Sequence, residues 1–238
     1  MVIDFHSHIL PGIDDGSKSC AMSLEMLKAM KEQGVDFVVA SPHFYYLRQN
    51  YESFMLKREN SYKELQNAIF NAGLEEGKTV PKILLGSETA YAFEIEKYEK
   101  LDSLCIEGTN ALILEMPFTE WSMKEIDALA DIIYTRNLTI VIAHIERYLQ
   151  VEPQKILQAL FELPVYIQMN AGQFIPLFGR KIVLKYFKNN QAHLLGSDAH
   201  NMEDRAPNID FARKIIKNKL GQEKLNEIDE TGKKILNI

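Results

Sequence analysis

WSMKEIDALADIIYTRNLTIVIAH, residues 121–144, contains the unit from which the fold can be read. From Trp121 to Arg136, Ile126, Leu129, Ala130 and Ile133 recur at i, i+3, i+4 and i+7, the spacing of a helix with one apolar face. Leu138–Ala143 is then a continuous apolar run with β-branched residues, and its length fits a buried strand. A polar residue, His144, follows it directly. The same unit recurs along the chain. Strands are predicted at Val2–Phe5, Asp36–Ala40, Lys82–Leu85, Ala111–Leu114, Leu138–Ala143, Val165–Met169 and His193–Leu195. Helices are predicted at Ser19–Gln33, Tyr51–Ala72, Trp121–Arg136, Pro153–Glu162, Arg180–Lys188 and Ile209–Lys219, with Gly34 and Gly73 placed to end the first two. Alternation of this kind implies parallel strands joined by helical crossovers. A closed or nearly closed barrel and an open doubly wound sheet both satisfy it. No strand is followed by GxGxxG or GxxxxGK[ST], which counts against a nucleotide-binding open sheet.

The 238 residues suit a single domain, residues 1–238, large enough to bury a core without disulfides. Cys20 and Cys105 form no CxxC pair, so neither a thiolate zinc site nor a redox motif is expected. The net charge of −6 argues against a general nucleic-acid binder, which needs a basic face. The N-terminus lacks the basic start and apolar stretch of a signal peptide, and no apolar run is long enough for membrane insertion. A cytoplasmic location is the expectation.

Chemistry gathers just after the predicted strands. His6, His8, Asp14 and Asp15 follow the first, and His43, Glu88, Glu115, His144 and Asn170 follow the next five in turn. Asp198 and His200 follow the seventh. Five of the six histidines fall at such positions; only His193, at the start of a strand, does not. In a parallel barrel the carboxyl ends of all strands open on one face, where active sites are built. One strand-end histidine or glutamate is commonly a surface or hydrogen-bonded residue; seven strands each ending this way form a different kind of pattern. His6 and His8 stand at i, i+2 and point to one side of an extended strand, and Asp198-Ala199-His200 repeats that spacing. Imidazoles and carboxylates without thiolates suit Mn²⁺, Zn²⁺ or Fe, and so many donors call for two or three ions. Carboxylates with that many divalent ions leave a surplus of positive charge, which favours an anionic substrate such as a phosphate. Arg147 and Arg205, each a few residues past a strand-end histidine, match phosphate in a bidentate fork.

The motifs HSHILPGIDDG at 6–16, SPH at 41–43, GSE at 86–88, LEMP at 114–117, AHIERY at 143–148 and GSDAHN at 196–201 resemble the polymerase-and-histidinol-phosphatase (PHP) superfamily. More narrowly they resemble the manganese-dependent protein-tyrosine phosphatases of bacterial capsule and exopolysaccharide operons, the CpsB/CapC type. The resemblance runs from residue 3 to about residue 205. It implies an α/β fold of distorted (β/α)₇ TIM-like barrel form, the PHP fold, with a trinuclear metal site. By resemblance, His6 and His8 bind one metal with Glu115 and Asp198. Glu115 bridges to a second held by Glu88 and His144, and Asp15, His43 and His200 hold the third. Asp14 is supporting, and Arg147 and Arg205 match arginines at the phosphate pocket. The implied substrate is phosphotyrosine in the tail of a cognate autophosphorylating tyrosine kinase. Ile145 departs from the proline expected in the AHxER element, a change that removes no ligand.

No C-x₅-R motif offers a cysteine nucleophile, so the expected route is direct attack on phosphorus by a metal-bound hydroxide, with His43 or His200 as the candidate general acid. The aromatic stretch Phe44–Tyr51 either packs on the rim or forms a lid over the substrate ring, with Tyr45 and Tyr46 as its candidates. Competing readings are a phosphatase for a small metabolite such as histidinol phosphate, a metal-dependent amidohydrolase, and a non-catalytic regulator that keeps the fold. The sequence leaves the oligomeric state open.

Overall fold

In the computed structural model, which describes residues 1–238, every strand pairing is parallel. Nine strands, β1 (Ile3–Ser7), β2 (Phe37–Ala40), β3 (His43–Phe44), β4 (Lys82–Leu85), β5 (Glu88–Ala90), β6 (Ala111–Glu115), β7 (Thr139–Ile142), β8 (Tyr166–Asn170) and β9 (Leu194–Gly196), form two sheets, β1-β2-β4 and β3-β5-β6-β7-β8-β9. Chain continuity joins them, because β3 prolongs β2 and β5 prolongs β4 after two-residue breaks. On the other side, the carboxyl end of β1 and the chain after β9 are hydrogen-bonded, with Asp198 N donating to His6 O (2.8 Å) and His8 N to Ala199 O (2.9 Å). The result is one curled parallel sheet.

Seven helices accompany it: α1 (Cys20–Glu32), α2 (Tyr51–Asn71), α3 (Met123–Arg136), α4 (Gln154–Glu162), α5 (Leu177–Lys188), α6 (Ile209–Leu220) and α7 (Gln222–Leu236). Side chains cap the starts of three of them. Ser19 accepts from Met22 N, Asn50 accepts from Ser53 N, and Ser122 with Glu125 makes a capping box. All seven predicted strands and six predicted helices are present. The structure adds short strands β3 and β5 and the helix α7 to the predicted elements; between β5 and β6, where no helix is predicted, the chain makes only short 3₁₀ turns.

Alternation along the strands sorts side chains into two cores. Leu112 and Leu114, Ile140 and Ile142, and Ile167 and Met169 face the helices. Ile3, Phe5, Ile113, Val141, Ala143 and Leu194 fill the concave side, where Ile235 and Leu236 of α7 meet them. The concave side is thus packed with apolar groups towards the strand amino ends and carries polar groups towards the carboxyl ends. Strict alternation would turn His6 away from the side that holds Ile3 and Phe5. A bulge prevents this: Asp4 pairs with Val38 but Ser7 with Ala40, so β1 spends one residue more than β2 over that step and its phase resets. His6 and His8 then point in above Phe5. The buried Asp4 carboxylate ties this bulge to the other end of the sheet by accepting from Ser197 N (2.7 Å) and His6 N (3.4 Å). Burial still pushes its pKa up to about 6.

Candidate metal centre

Two strand breaks deliver the first carboxylate and one imidazole. Pro42 has no N–H to give a ladder, so β2 cannot run unbroken into β3. Gly86 lies where an added Cβ would come within 3.3 Å of both Ile106 and Val39. Past these breaks His43 and Glu88 sit opposite one another as paired residues of β3 and β5. His144 and Asp198, each two residues past a strand, have positive φ (+33° and +53°), a conformation unusual for non-glycine residues that marks strain at functional positions. The Asp14-Asp15-Gly16 turn folds back on His8. Ser17 N donates to His8 O (2.9 Å), and a Cβ on residue 16 would stand 2.4 Å from His8 O and from His8 Cβ, so only glycine fits.

The predicted donors come together. Glu88 is central: its Oε2 lies 3.2 Å from His6 Nε2, 3.3 Å from His8 Nε2 and 2.9 Å from His43 Nδ1, and its Oε1 lies 2.7 Å from His144 Nε2. Glu115 Oε1 is 3.3 Å from His144 Nε2. Asp198 Oδ1 is 3.5 Å from His8 Nε2 and 3.6 Å from His200 Nδ1, and Asp15 Oδ1 is 3.3 Å from His43 Nε2 and 3.6 Å from His200 Nε2. Donor atoms close enough to share a cation form three groups: His8, Asp15, His43 and His200; His6, His8 and Asp198; and His43, Glu88 and Glu115. The division differs from the one implied by resemblance. Glu115 stays with Glu88, and Asp15 with His43 and His200, as the resemblance implies, but Glu115 stands apart from the His6 and His8 group, His8 and His43 each fall in two groups, and His144 touches the third group without joining it.

Outer hydrogen bonds fix the tautomers. His6 Nδ1 donates to Gln168 Oε1 (3.3 Å), His8 Nδ1 to Asp14 Oδ2 (2.8 Å), and His200 Nδ1 to the Asp198 carbonyl (2.9 Å). Each neutral ring therefore presents a bare Nε2 to the pocket, the form in which imidazole ligates metals. His6 Nε2 and His8 Nε2 face each other at 3.1 Å. Glu88 Oε2 and His200 Nε2 are buried with no hydrogen-bond partner. Converging lone pairs and orphaned buried acceptors fit divalent cations and little else.

Without cations the charges fall on protons. Burial disfavours the imidazolium of His8, yet its contacts with Asp14, Asp198 and Glu88 prevail and raise its pKa well above normal. For His144 the contacts with Glu115 and Glu88 outweigh burial and hold the pKa at about 9. His200 behaves oppositely: burial and the neighbouring His8 bring it down to about 4. Despite burial, Glu88 and Asp198 are held well below the usual carboxylate range by the histidines around them.

Two cations of the chain itself border the cluster. Arg147 Nη2 lies 2.6 Å from Asp198 Oδ2, and Arg205 Nη2 lies 2.8 Å from Asp198 Oδ1. Both arginines line a pocket of about 460 Å³ that also contains Asp15, His43, Glu88, Glu115 and Asp198 in its wall. Tyr45, Tyr91, Pro117 and Phe118 give it an aromatic and apolar side. The two candidate lid tyrosines separate. Tyr46 is fixed by a tilted ring contact with Tyr98 (4.8 Å between ring centroids) and by donating to Phe93 O, whereas the Tyr45 ring stands 5.6 Å from His43. Burial, then Glu115, Glu88 and Asp15, push the Tyr45 hydroxyl up to about 12, so it remains a donor. Cys105 is buried among apolar groups, which raises its thiol to about 12, and it takes no part in the pocket.

Sequence reasoning missed Gln168 and Phe118. Gln168 accepts from His6 Nδ1 and from His144 N (2.8 Å) and donates to Asn170 Oδ1 (2.9 Å), so it positions two histidines at once. The available signal was its phase: it stands two residues before Asn170 on β8 and shares its face.

The fold and site define an α/β protein whose curled parallel sheet carries, at the strand carboxyl ends, an imidazole–carboxylate cluster that could hold cations, with two arginines beside it. Sequence comparison narrows the class. The family model for capsular polysaccharide synthesis, CpsB/CapC, matches residues 2–237, and the chain belongs to this family. It is similar to the tyrosine-protein phosphatase CpsB of Streptococcus agalactiae serotype III (27% identical, spanning 95% of this chain and 94% of that one). It is also similar to the putative tyrosine-protein phosphatase CapC of Staphylococcus aureus (30% identical, 86% and 79%). Among solved structures, the pair YwqE from Bacillus subtilis and CpsB from Streptococcus pneumoniae, described as unique metal-dependent tyrosine phosphatases, includes a chain that superposes with a TM-score of 0.81. That match covers 99% of this chain and 94% of the other at 23% identity, and it bears on the fold.

Proposed function

We propose that this chain is a metal-dependent protein-tyrosine phosphatase that acts on the phosphotyrosine tail of a cognate tyrosine kinase in capsule or exopolysaccharide synthesis. Its sheet is read here as a distorted (β/α)₇ barrel. The observation that carries the proposal is the meeting of bare Nε2 atoms of His6, His8 and His200 with Glu88 and Asp198 beside two pocket-lining arginines. His6, His8, Asp15, His43, Glu88, Glu115, His144, Asp198 and His200 are assigned as ligands of two or three divalent ions, with Mn²⁺ favoured and Fe or Zn²⁺ compatible with the same donors.

Bound divalent ions supply acidified water and positive charge for the transferring phosphoryl group. The chain's own residues do the rest. Arg147 and Arg205 bind the non-bridging oxygens and offset charge as it builds. The phenolate leaving group, with a pKa of about 10, needs little help from an acid. His43 lines the pocket where His200 does not, so His43 is the better placed of the two to return a proton. Tyr45 and Phe118 provide the aromatic walls for the phenyl ring. This apolar side favours an aryl phosphate over a small polar metabolite.

The test is a side-by-side assay on a phosphotyrosine peptide, the matching phosphoserine peptide and histidinol phosphate. Mn²⁺-loaded protein should prefer the phosphotyrosine peptide, a chelator should abolish turnover, and a thiol alkylator should leave it intact. Faster turnover of histidinol phosphate, or activity that survives the chelator, would reject the assignment.

A further inference from the structure

Exposed apolar side chains are ordinary when they stand singly. Ile175-Pro176-Leu177-Phe178, which leads into α5, is exposed at four consecutive positions. Ile175 is 58% accessible, Leu177 72% and Phe178 67%. The segment is held in place, which sets it apart from a loose loop tip. Arg180 Nε donates to Phe174 O (2.7 Å) and its Nη2 to Ile175 O (3.3 Å). Gly179 closes the turn where a Cβ would lie 2.8 Å from Gln173 O. Phe174, buried, anchors the base.

The helix that follows is charged in one sense only. α5, LFGRKIVLKYFK, holds one arginine, three lysines and no acid, in a chain of net charge −6. At 3.6 residues per turn, Leu177, Phe178, Lys181, Lys185 and Lys188 fall within one sector of about 100°. All five are exposed, while Val183 and Phe187 on the opposite side are buried. The outward face of α5 is therefore apolar in its first turn and cationic along the rest. Such a face suits a plane that is oily inside and anionic outside.

We propose that the Ile175–Phe178 wedge and the lysine face of α5 dock this protein peripherally on an anionic phospholipid surface. Leu177 and Phe178 enter the interface, and Lys181, Lys185 and Lys188 meet the lipid phosphates. One apolar turn and a lysine face make a peripheral, reversible attachment, weaker than an inserted span.

Vesicle co-sedimentation of the full chain tests this without reference to its enzymatic activity. The probes are phosphatidylcholine vesicles with and without phosphatidylglycerol, each at low and high salt. The parent chain should bind the anionic vesicles at least about tenfold more tightly than the neutral ones and lose that preference at high salt. K181E/K185E/K188E should abolish the preference. L177S/F178S should weaken binding several-fold on the same vesicles while leaving its salt dependence in place. Every substituted residue is exposed, and matching melting curves certify the folds. The proposal fails if the parent ignores anionic vesicles, or if both variants bind as the parent does. It also fails if L177S/F178S changes only the mass measured by light scattering without lipid, which would make the wedge a contact between copies.

Discussion

Asp14 belongs to none of the three cation-sized groups, yet it governs what His8 offers the pocket. Its Oδ2 takes the His8 Nδ1 proton and also the His43 N–H (3.1 Å), while its Oδ1 takes Gly16 N (2.9 Å). One carboxylate thus sets a tautomer, the start of β3 and the turn that carries Asp15. Residues in this outer role usually change metal affinity when altered, without being ligands. Asp14→Asn should weaken Mn²⁺ binding about 10- to 100-fold, measured by calorimetric titration of chelator-treated protein. An unchanged affinity would show that the orientation of His8 does not depend on Asp14. The same distinction explains what could be read at this scale from sequence. Polar residues after apolar runs announced the cluster members one by one. Their grouping could not be read, because it depends on distances between strands far apart in the chain. Gln168 stayed hidden because a glutamine inside a strand is inward or outward only once the register is known.

The elements repeat this lesson. Six of the seven strands were legible as apolar runs with β-branched or aliphatic residues; the last, His193–Leu195, is a short leucine pair marked mainly by the Asp198-Ala199-His200 motif after it. β3 and β5 were not, since two or three residues beginning with His43 or Glu88 carry no period to detect. The bulge in β1 leaves no sequence mark either, although it aims His6 and His8. α7 escaped because Gln222–Leu236 reads as polar, with Thr231 and Gly232 interrupting its helix formers. Gly232 has a packing reason: a Cβ there would come 2.9 Å from Ile3 Cδ1, so the helix lies close against β1. The one histidine outside the cluster also acts at the level of an element. His193 N donates to Ile167 O, and its Nδ1 accepts from Ile167 N (3.0 Å), clasping the start of β9 to β8. Burial lowers its pKa, so the folded state favours the neutral ring. The unfolded chain then binds the extra proton first, and this contribution to stability is lost as pH falls through the unfolded value of about 6.5. His193→Gln keeps an acceptor for Ile167 N and removes the titration. Its stability should fall less than the parent's between about pH 7 and pH 5, as read from chelator-treated urea unfolding. Parallel declines would mean that the clasp does not titrate.

For the whole molecule, the cluster makes stability a contest between protons and cations. Glu88, buried at the centre, must be neutralised by one or the other. In metal-free protein the raised imidazole pKa values do this. His144, held at about 9 against an unfolded value near 6.5, stabilises the fold fully below about pH 6.5 and loses that contribution as pH rises through 9. His8 and His43, also raised, act in the same direction. Metal-free protein should therefore become less stable from neutral to alkaline pH. Cations need the same imidazoles deprotonated, so they bind more tightly as pH rises. A ligand that binds only the folded state stabilises by mass action in proportion to RT ln(1 + [L]/Kd). The gain in Tm on adding saturating Mn²⁺ to chelator-treated protein should thus be small near pH 6 and grow steadily towards about pH 8, as the metal-free baseline falls and the affinity climbs. Scanning calorimetry of both forms across that range measures it. A gain independent of pH would mean that cations and protons do not compete for these histidines, and would place the bound metal away from the cluster around Glu88.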